Sequence, residues 1–301
     1  MHRRPELIPT TFESFDSRMP SALGDRYLVK LFTGCRWTEG PAYFPAGRYL
    51  IFSDIPNDRI LRYDELTGHT SVFQSPIGHH NGHSADRQGR LLSCEHGNRR
   101  VSRIEADGST TVLADSYQGK RLNSPNDLVE KTDGSIWFTD PAYGIDSDYE
   151  GYAADSEIGA CHVYRVVPGE QPVIVADDFD RPNGLAFSLD ETKLYISDTG
   201  RNHMRVFDVD GDKLTGGEVF AECTNGCFDG FRLDGKGRIW TSAGDGVHVY
   251  HADGTLLGKL PVPEVVSNLT FGGPRRHDLF ITATTSLYQF RMNVTGAPYP
   301  R

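Results

Sequence analysis

The chain has 301 residues, beyond the about 100–200 of an ordinary single-core domain, so it forms either two domains or one large closed architecture. Lys and Arg number 31 against 41 for Asp and Glu, and the formal charge of −10 with no basic block argues against nucleic acid or an anionic membrane as partner. Apolar residues, at 38%, support a core, yet no apolar run approaches the roughly 20 residues that cross a bilayer.

At the start, Met1 to Glu6 are followed by no apolar stretch, so no signal peptide is expected. The cysteines (Cys35, Cys94, Cys161, Cys223 and Cys227) are odd in number and form no CxxC pair. They read as free thiols, and a cytoplasmic location follows as an expectation. Residues 1–26 read as an N-terminal arm and 27–301 as one domain. GxSxG, Walker-type GxxxxGK[ST], GxGxxG and HExxH motifs are all missing. The cluster His79-His80-Asn81-Gly82-His83 is interrupted by Gly82 and preceded by Gly78, so it reads as a polar loop with one His toward a substrate.

One phrase recurs along the chain: a polar residue, usually Gly, a short apolar run, a turn, then an apolar run ending in Ser/Thr and often an acid. It opens at Glu39, Asn81, Asn126, Asn183, Asp229 and Asn268, at spacings of 42, 45, 57, 46 and 39 residues by subtraction. Four of these lie near the roughly 40–50 residues of a four-stranded propeller blade. Third strands are predicted at 59–63, 101–104 and 204–207, and fourth strands at 71–73, 111–113, 173–175 and 218–220. The sixth copy ends after a third strand near 287–290, and residues 27–32 (YLVKLF) can supply the missing one. The sequence therefore predicts an all-β, six-bladed propeller closed by an N-terminal strand.

In a propeller the first strand of each blade lines the central channel, so the six opening residues should converge at one mouth. The ends of the second strands should return Asp54, Glu95, Asp140 and Asp198 to the same rim, with Ala243 and Ala283 in the last two blades. Asn and Asp at such places are ordinary turn caps. Glu39 is too long for that role, and buried carboxylates need compensation. Oxygen donors without His or Cys suit calcium or magnesium better than zinc.

On the phrases Glu39-Gly-Pro, SDIPNDRILRY (53–63), SPND (124–127), FTDP (138–141), RPNGLAFS (181–188), LYISD (194–198), Asp229-Gly-Phe and TFGG (270–273), the chain resembles the senescence marker protein/gluconolactonase/luciferin-regenerating enzyme-like family. The resemblance runs from Leu31 to Phe290, and Asn81-Gly-His with Ser93-Cys-Glu-His96 is most similar to its bacterial gluconolactonases. It implies hydrolysis of sugar lactones at one divalent cation, commonly calcium and replaceable by magnesium, manganese or zinc. By the resemblance the cation is held at Glu39, Asn183 and Asp229, with Asp229 also the base and Asn126 holding substrate or water. Animal members carry an Arg two residues before Asn126, where this chain has Ser124.

The expected chemistry is water attack on a lactone carbonyl, with Asp229 taking the proton and Asn126, Asn81 and His83 on ring hydroxyls. Asp140 and Glu95 either join them on the substrate or support the residues that do. The surplus of the 57-residue repeat lies in 141–154, where Tyr143, Tyr149 and Tyr152 form either a lid or a solvated insertion. A phosphotriester hydrolase on the same site and a non-catalytic binding propeller are the competing functions. The expected partner is a small lactone.

Overall fold

The recurring strand–turn–strand phrase folds into six antiparallel meanders, each running outward from a central axis. The computed structural model describes residues 5–19 and 24–298; the remainder of the predicted arm and the last three residues lie outside the described part. The innermost strands of blades 1 to 6 are Thr38–Phe44, His80–Ala85, Leu128–Glu130, Pro182–Phe187, Phe231–Leu233 and Val266–Gly272. The third and fourth strands expected from the sequence fall inside the observed ones. One prediction is corrected: residues 80–83 are not loop but the start of the inner strand His80–Ala85, which pairs with its second strand at His80–Glu95 and His83–Ser93 around a bulge.

Ring closure follows the sequence. Tyr27–Thr33 pairs with Ser286–Arg291 as the outer strand of blade 6, so the two ends of the chain share one sheet. Glu6–Pro9 then adds a fifth strand to that blade, and Glu13–Ser14 adds one to blade 5. Phe12, between them, packs toward Trp240 at a ring separation of 6.2 Å. The described part of the arm is thus bound to two outer sheet edges, which covers backbone that would otherwise template association.

Apolar side chains of adjacent blades interlock in six clusters, one for each pair of neighbours. Trp137 and Trp240 are fully buried in two of them. The core therefore lies between blades and not on the axis, which leaves the axis to polar groups.

Two devices draw the inner strands together. Hydroxyls near the ends of the second strands of blades 1, 3 and 4 reach the next blade: Ser53 Oγ donates to Asn81 O at 2.8 Å, Thr139 Oγ1 to Asn183 O at 2.8 Å, and Ser197 Oγ to Asp229 O at 2.8 Å. Ser267 closes the belt by donating to Thr38 O at 2.6 Å. The second device is glycine. Gly40 has φ +56°, and a Cβ there would lie 2.1 Å from Asn81 O. Gly40→Ala combines a left-handed backbone with a backbone clash, so it is expected to destabilise the protein by about 3 kcal/mol, read by urea unfolding.

Candidate active site at the channel mouth

Four of the six inner strands bulge where the opening residue stands, as the register shifts between Glu39 and Ala42, His80 and His83, Pro182 and Leu185, and Val266 and Asn268 record, while Asn126 and Asp229 stand just before the regular strands of blades 3 and 5. A bulge re-aims a side chain, and here it turns the opening residues toward the axis. Glu39, Asn81, Asn126, Asn183 and Asn268 are all buried, and Asp229 is partly buried.

Glu39 Oε2 accepts from Gly40 N at 2.6 Å and from Asn268 Nδ2 at 2.9 Å. Its Oε1 is buried with no hydrogen-bond partner among the described residues. Burial pushes the Glu39 carboxyl up to about 8, against the hydrogen bonds from Asn268 and Gly40. Asp229 is held well above the usual carboxylate range, first by burial and then by the charges of Glu39, Glu150 and Asp127, while a hydrogen bond with Asn183 opposes this. Three of the predicted residues, Glu39, Asn183 and Asp229, are therefore brought into one electrostatic neighbourhood.

A second layer lies beneath. Asp127 Oδ2 faces Arg232 Nη1 at 3.3 Å and Asn268 Nδ2 at 3.5 Å. Arg232 partly neutralises both Asp127 and Glu39. Sequence reasoning passed over it, although a signal exists. The fourth position of the six phrases reads Ala42, Ser84, Val129, Ala186, Arg232 and Phe271, so one charge stands among small or apolar residues.

The expectation for His83 is corrected, and of the two alternatives for Glu95 and Asp140 the geometry favours support of other residues over substrate contact. His83 does not meet a substrate: it is fully buried in the channel wall, its Nε2 2.8 Å from Ser53 Oγ and its Nδ1 2.8 Å from Ser93 Oγ. Burial holds it neutral, down to about 3. Nor do Glu95 and Asp140 reach the channel; both are fully buried. Asp140 accepts the backbone N–H groups of Asn123 and Ser124 at 2.9 and 2.8 Å, which fixes the loop leading into Asn126. Asp54 and Asp198 clamp the corresponding loops at Arg36 N and at Asp180 N and Arg181 N. Glu95 binds Arg100 at 2.7 Å and Ser102. The Ser/Thr-acid ending of the repeat is thus a clamp built inward, because carboxylates at that depth are stable only when backbone N–H or cationic groups fill their lone pairs.

The insertion covers the mouth. It begins with the short helix Tyr143–Asp146, anchored by Ser124, whose Oγ donates to Pro141 O at 2.6 Å and accepts from Gly144 N at 2.9 Å. On the blade 4 side Arg181 lies 5.0 Å from the Tyr143 ring centre and pairs with Asp146. On the blade 2 side Tyr152 meets His79 edge-on at 5.2 Å, and His96 Nδ1 lies 3.1 Å from Glu150 O. Tyr143 is the tyrosine turned inward, toward Thr199 and Asp229; Tyr149 and Tyr152 are about half exposed, at 50% and 55%. Burial raises the Glu150 carboxyl to about 7. Glu150 was not picked out from the sequence, because only the folded insertion brings it to the mouth.

The donor set fits a hard cation. The buried Glu39 Oε1 has no partner among the described residues, and the carboxylates of Glu39, Asp127 and Asp229 share the channel with Arg232. Among the described residues no three His, Cys, Asp or Glu side chains are disposed to hold a metal, so a cation here needs the carboxamide oxygens as well. All five cysteines are unpaired.

Comparison with known proteins finds relatives over most of the chain. Residues 37–285 match the SMP-30/Gluconolactonase/LRE-like region. The solved structure of a gluconolactonase from Xanthomonas campestris superposes with a TM-score of 0.91 at 39% identity, over 97% of this chain and 99% of that one. The gluconolactonase of Zymomonas mobilis is 30% identical over 87% of this chain and 80% of its own length. The pentonolactonase XacC of Haloferax volcanii is 30% identical over 83% and 82%.

Proposed function

The chain belongs to the SMP-30/Gluconolactonase/LRE-like family, and from that premise we propose that it opens sugar lactones such as glucono-1,5-lactone with water. The observation that carries the proposal is the partly buried Asp229 carboxylate, hydrogen-bonded with Asn183 and crowded by Glu39 under a tethered cover. A divalent cation at Glu39, Asn183 and Asp229, calcium first among the candidates, would supply Lewis acidity toward the lactone carbonyl oxygen. Burial beside other carboxylates raises the proton affinity of Asp229 and a bound cation would lower it again, which would leave Asp229 ionised to take the proton of the attacking water. Asn183 orients it. Asn126 and Asn81 stand at the mouth as hydrogen-bonding groups for ring hydroxyls, and the cover limits the entry of water. A lactone is an activated ester, so no covalent nucleophile is needed, and the buried thiol of Cys94 is pushed well up by burial and unsuited to be one.

The test is a pH-indicator assay over a panel of aldonolactones, with a phosphotriester as competing substrate. Glucono-1,5-lactone or a pentonolactone is expected to give the highest kcat/KM. Preference for the phosphotriester, or turnover of neither class, overturns the proposal.

A further inference from the structure

One hydrogen-bond chain runs from the cover into the channel, and it fixes the direction of a buried amide. His96 Nδ1 lies 3.1 Å from the backbone carbonyl oxygen of Glu150. A carbonyl oxygen only accepts, so Nδ1 carries a proton. His96 is fully buried, and burial keeps the ring neutral, down to about 4, so its Nε2 is a bare acceptor. Nε2 lies 3.0 Å from Asn81 Nδ2, which must then be the donor. The Asn81 carbonyl oxygen is thereby turned away from His96, and it is the buried Oδ1 that has no partner. Buried acceptors without donors are rare in folded proteins.

The ring is also held mechanically. A Cβ on Gly144 would lie 2.4 Å from the His96 Cβ, so the cover backbone rests directly on this residue. His96 N donates to His79 O at 3.0 Å, which fixes its backbone.

We infer that His96 is a positioning residue: with the Glu150 carbonyl it turns Asn81 so that Oδ1 accepts a hydrogen bond from a ring hydroxyl of the lactone. The site then selects hydroxylated lactones over unsubstituted ones, because an acceptor with no donor penalises the unsubstituted ring. This inference rests on the lactone-opening activity proposed above.

The test compares glucono-1,5-lactone with δ-valerolactone, the same six-membered ring without hydroxyls, on protein checked for unchanged thermal unfolding. If δ-valerolactone is too slow to follow, its inhibition constant against gluconolactone replaces kcat/KM. His96→Leu is expected to lower kcat/KM for gluconolactone about 10-fold, mainly through KM, and to move δ-valerolactone less than about twofold. His96→Gln should recover most of the loss, since its amide accepts from Asn81 and donates to the carbonyl. Asn81→Leu should match His96→Leu, and the double variant should be no worse than either. An equal fall on both lactones assigns His96 a merely structural role and overturns the inference. So does weakened calcium binding by calorimetry in His96→Leu, which would assign Oδ1 to a cation. If the unaltered protein opens neither lactone, the proposed function itself falls.

Discussion

Asp229→Asn is expected to lower lactone turnover by about 10²–10⁴-fold while the unfolding temperature stays unchanged or rises. The two halves of this result have separate causes. Architecture at this position is carried by the backbone: Asp229 N donates to Ser242 Oγ at 2.8 Å, and its carbonyl accepts from Ser197 Oγ at 2.8 Å and Gly184 N at 3.2 Å. An Asn side chain leaves these bonds intact. The Asp229 carboxylate is disfavoured by burial and by Glu39, Glu150 and Asp127, so removing its charge relieves repulsion. Catalysis depends on what Asn cannot do, which is to take a proton from the attacking water. Kinetics and calorimetry on the same preparation read both halves. A variant that turns over at the full rate, or one that unfolds far earlier, removes Asp229 from the role of base.

The repeat was legible because each copy carries the same clues in the same order. Turn residues, a β-branched second strand and the terminal Ser/Thr gave blade number, blade order and closure by residues 27–32. Convergence of Glu39, Asn183 and Asp229 followed from symmetry, since equivalent positions in a closed ring meet at the axis. Depth did not follow. Glu95 and Asp140 share a repeat position with Asp54 and Asp198, but periodicity cannot tell a carboxylate aimed at the channel from one aimed at its own loop. The N–H groups of Asn123 and Ser124 decide that, and they depend on the path of a loop. His83 failed for the same reason: one residue of bulge separates a channel-facing side chain from one buried between Ser53 and Ser93. Ser124 is the opposite case. At this departure from the expected family pattern the chain has a buried hydroxyl that anchors its own cover.

The acidity of the mouth predicts how stability varies with pH when no divalent cation is supplied. In the folded chain burial lifts Glu39 to about 8 and Glu150 to about 7, and Asp229 moves the same way, whereas the unfolded values are near 4. Between those limits the folded state binds more protons than the unfolded one, so unfolding free energy falls as pH rises. The stabilisation is complete below about pH 4 and is lost as pH passes through about 8, on the order of a few kcal/mol in all. Glu95 does not confuse the window: burial pushes it up, but His80, Arg100 and Ser102 more than offset this and hold it at about 2. In chelator, the unfolding temperature is therefore expected to drop from pH 5 to pH 8.5, and turnover to be lost. Calcium should flatten the slope by taking the place of the protons, raising the unfolding temperature most at the alkaline end. Glu39→Gln should flatten the slope without calcium and abolish the response to it, since the unpartnered Oε1 is then no longer part of an anion. Unfolding that ignores calcium at pH 8.5, or a slope identical in Glu39→Gln, leaves the mouth a polar channel with no ion to hold.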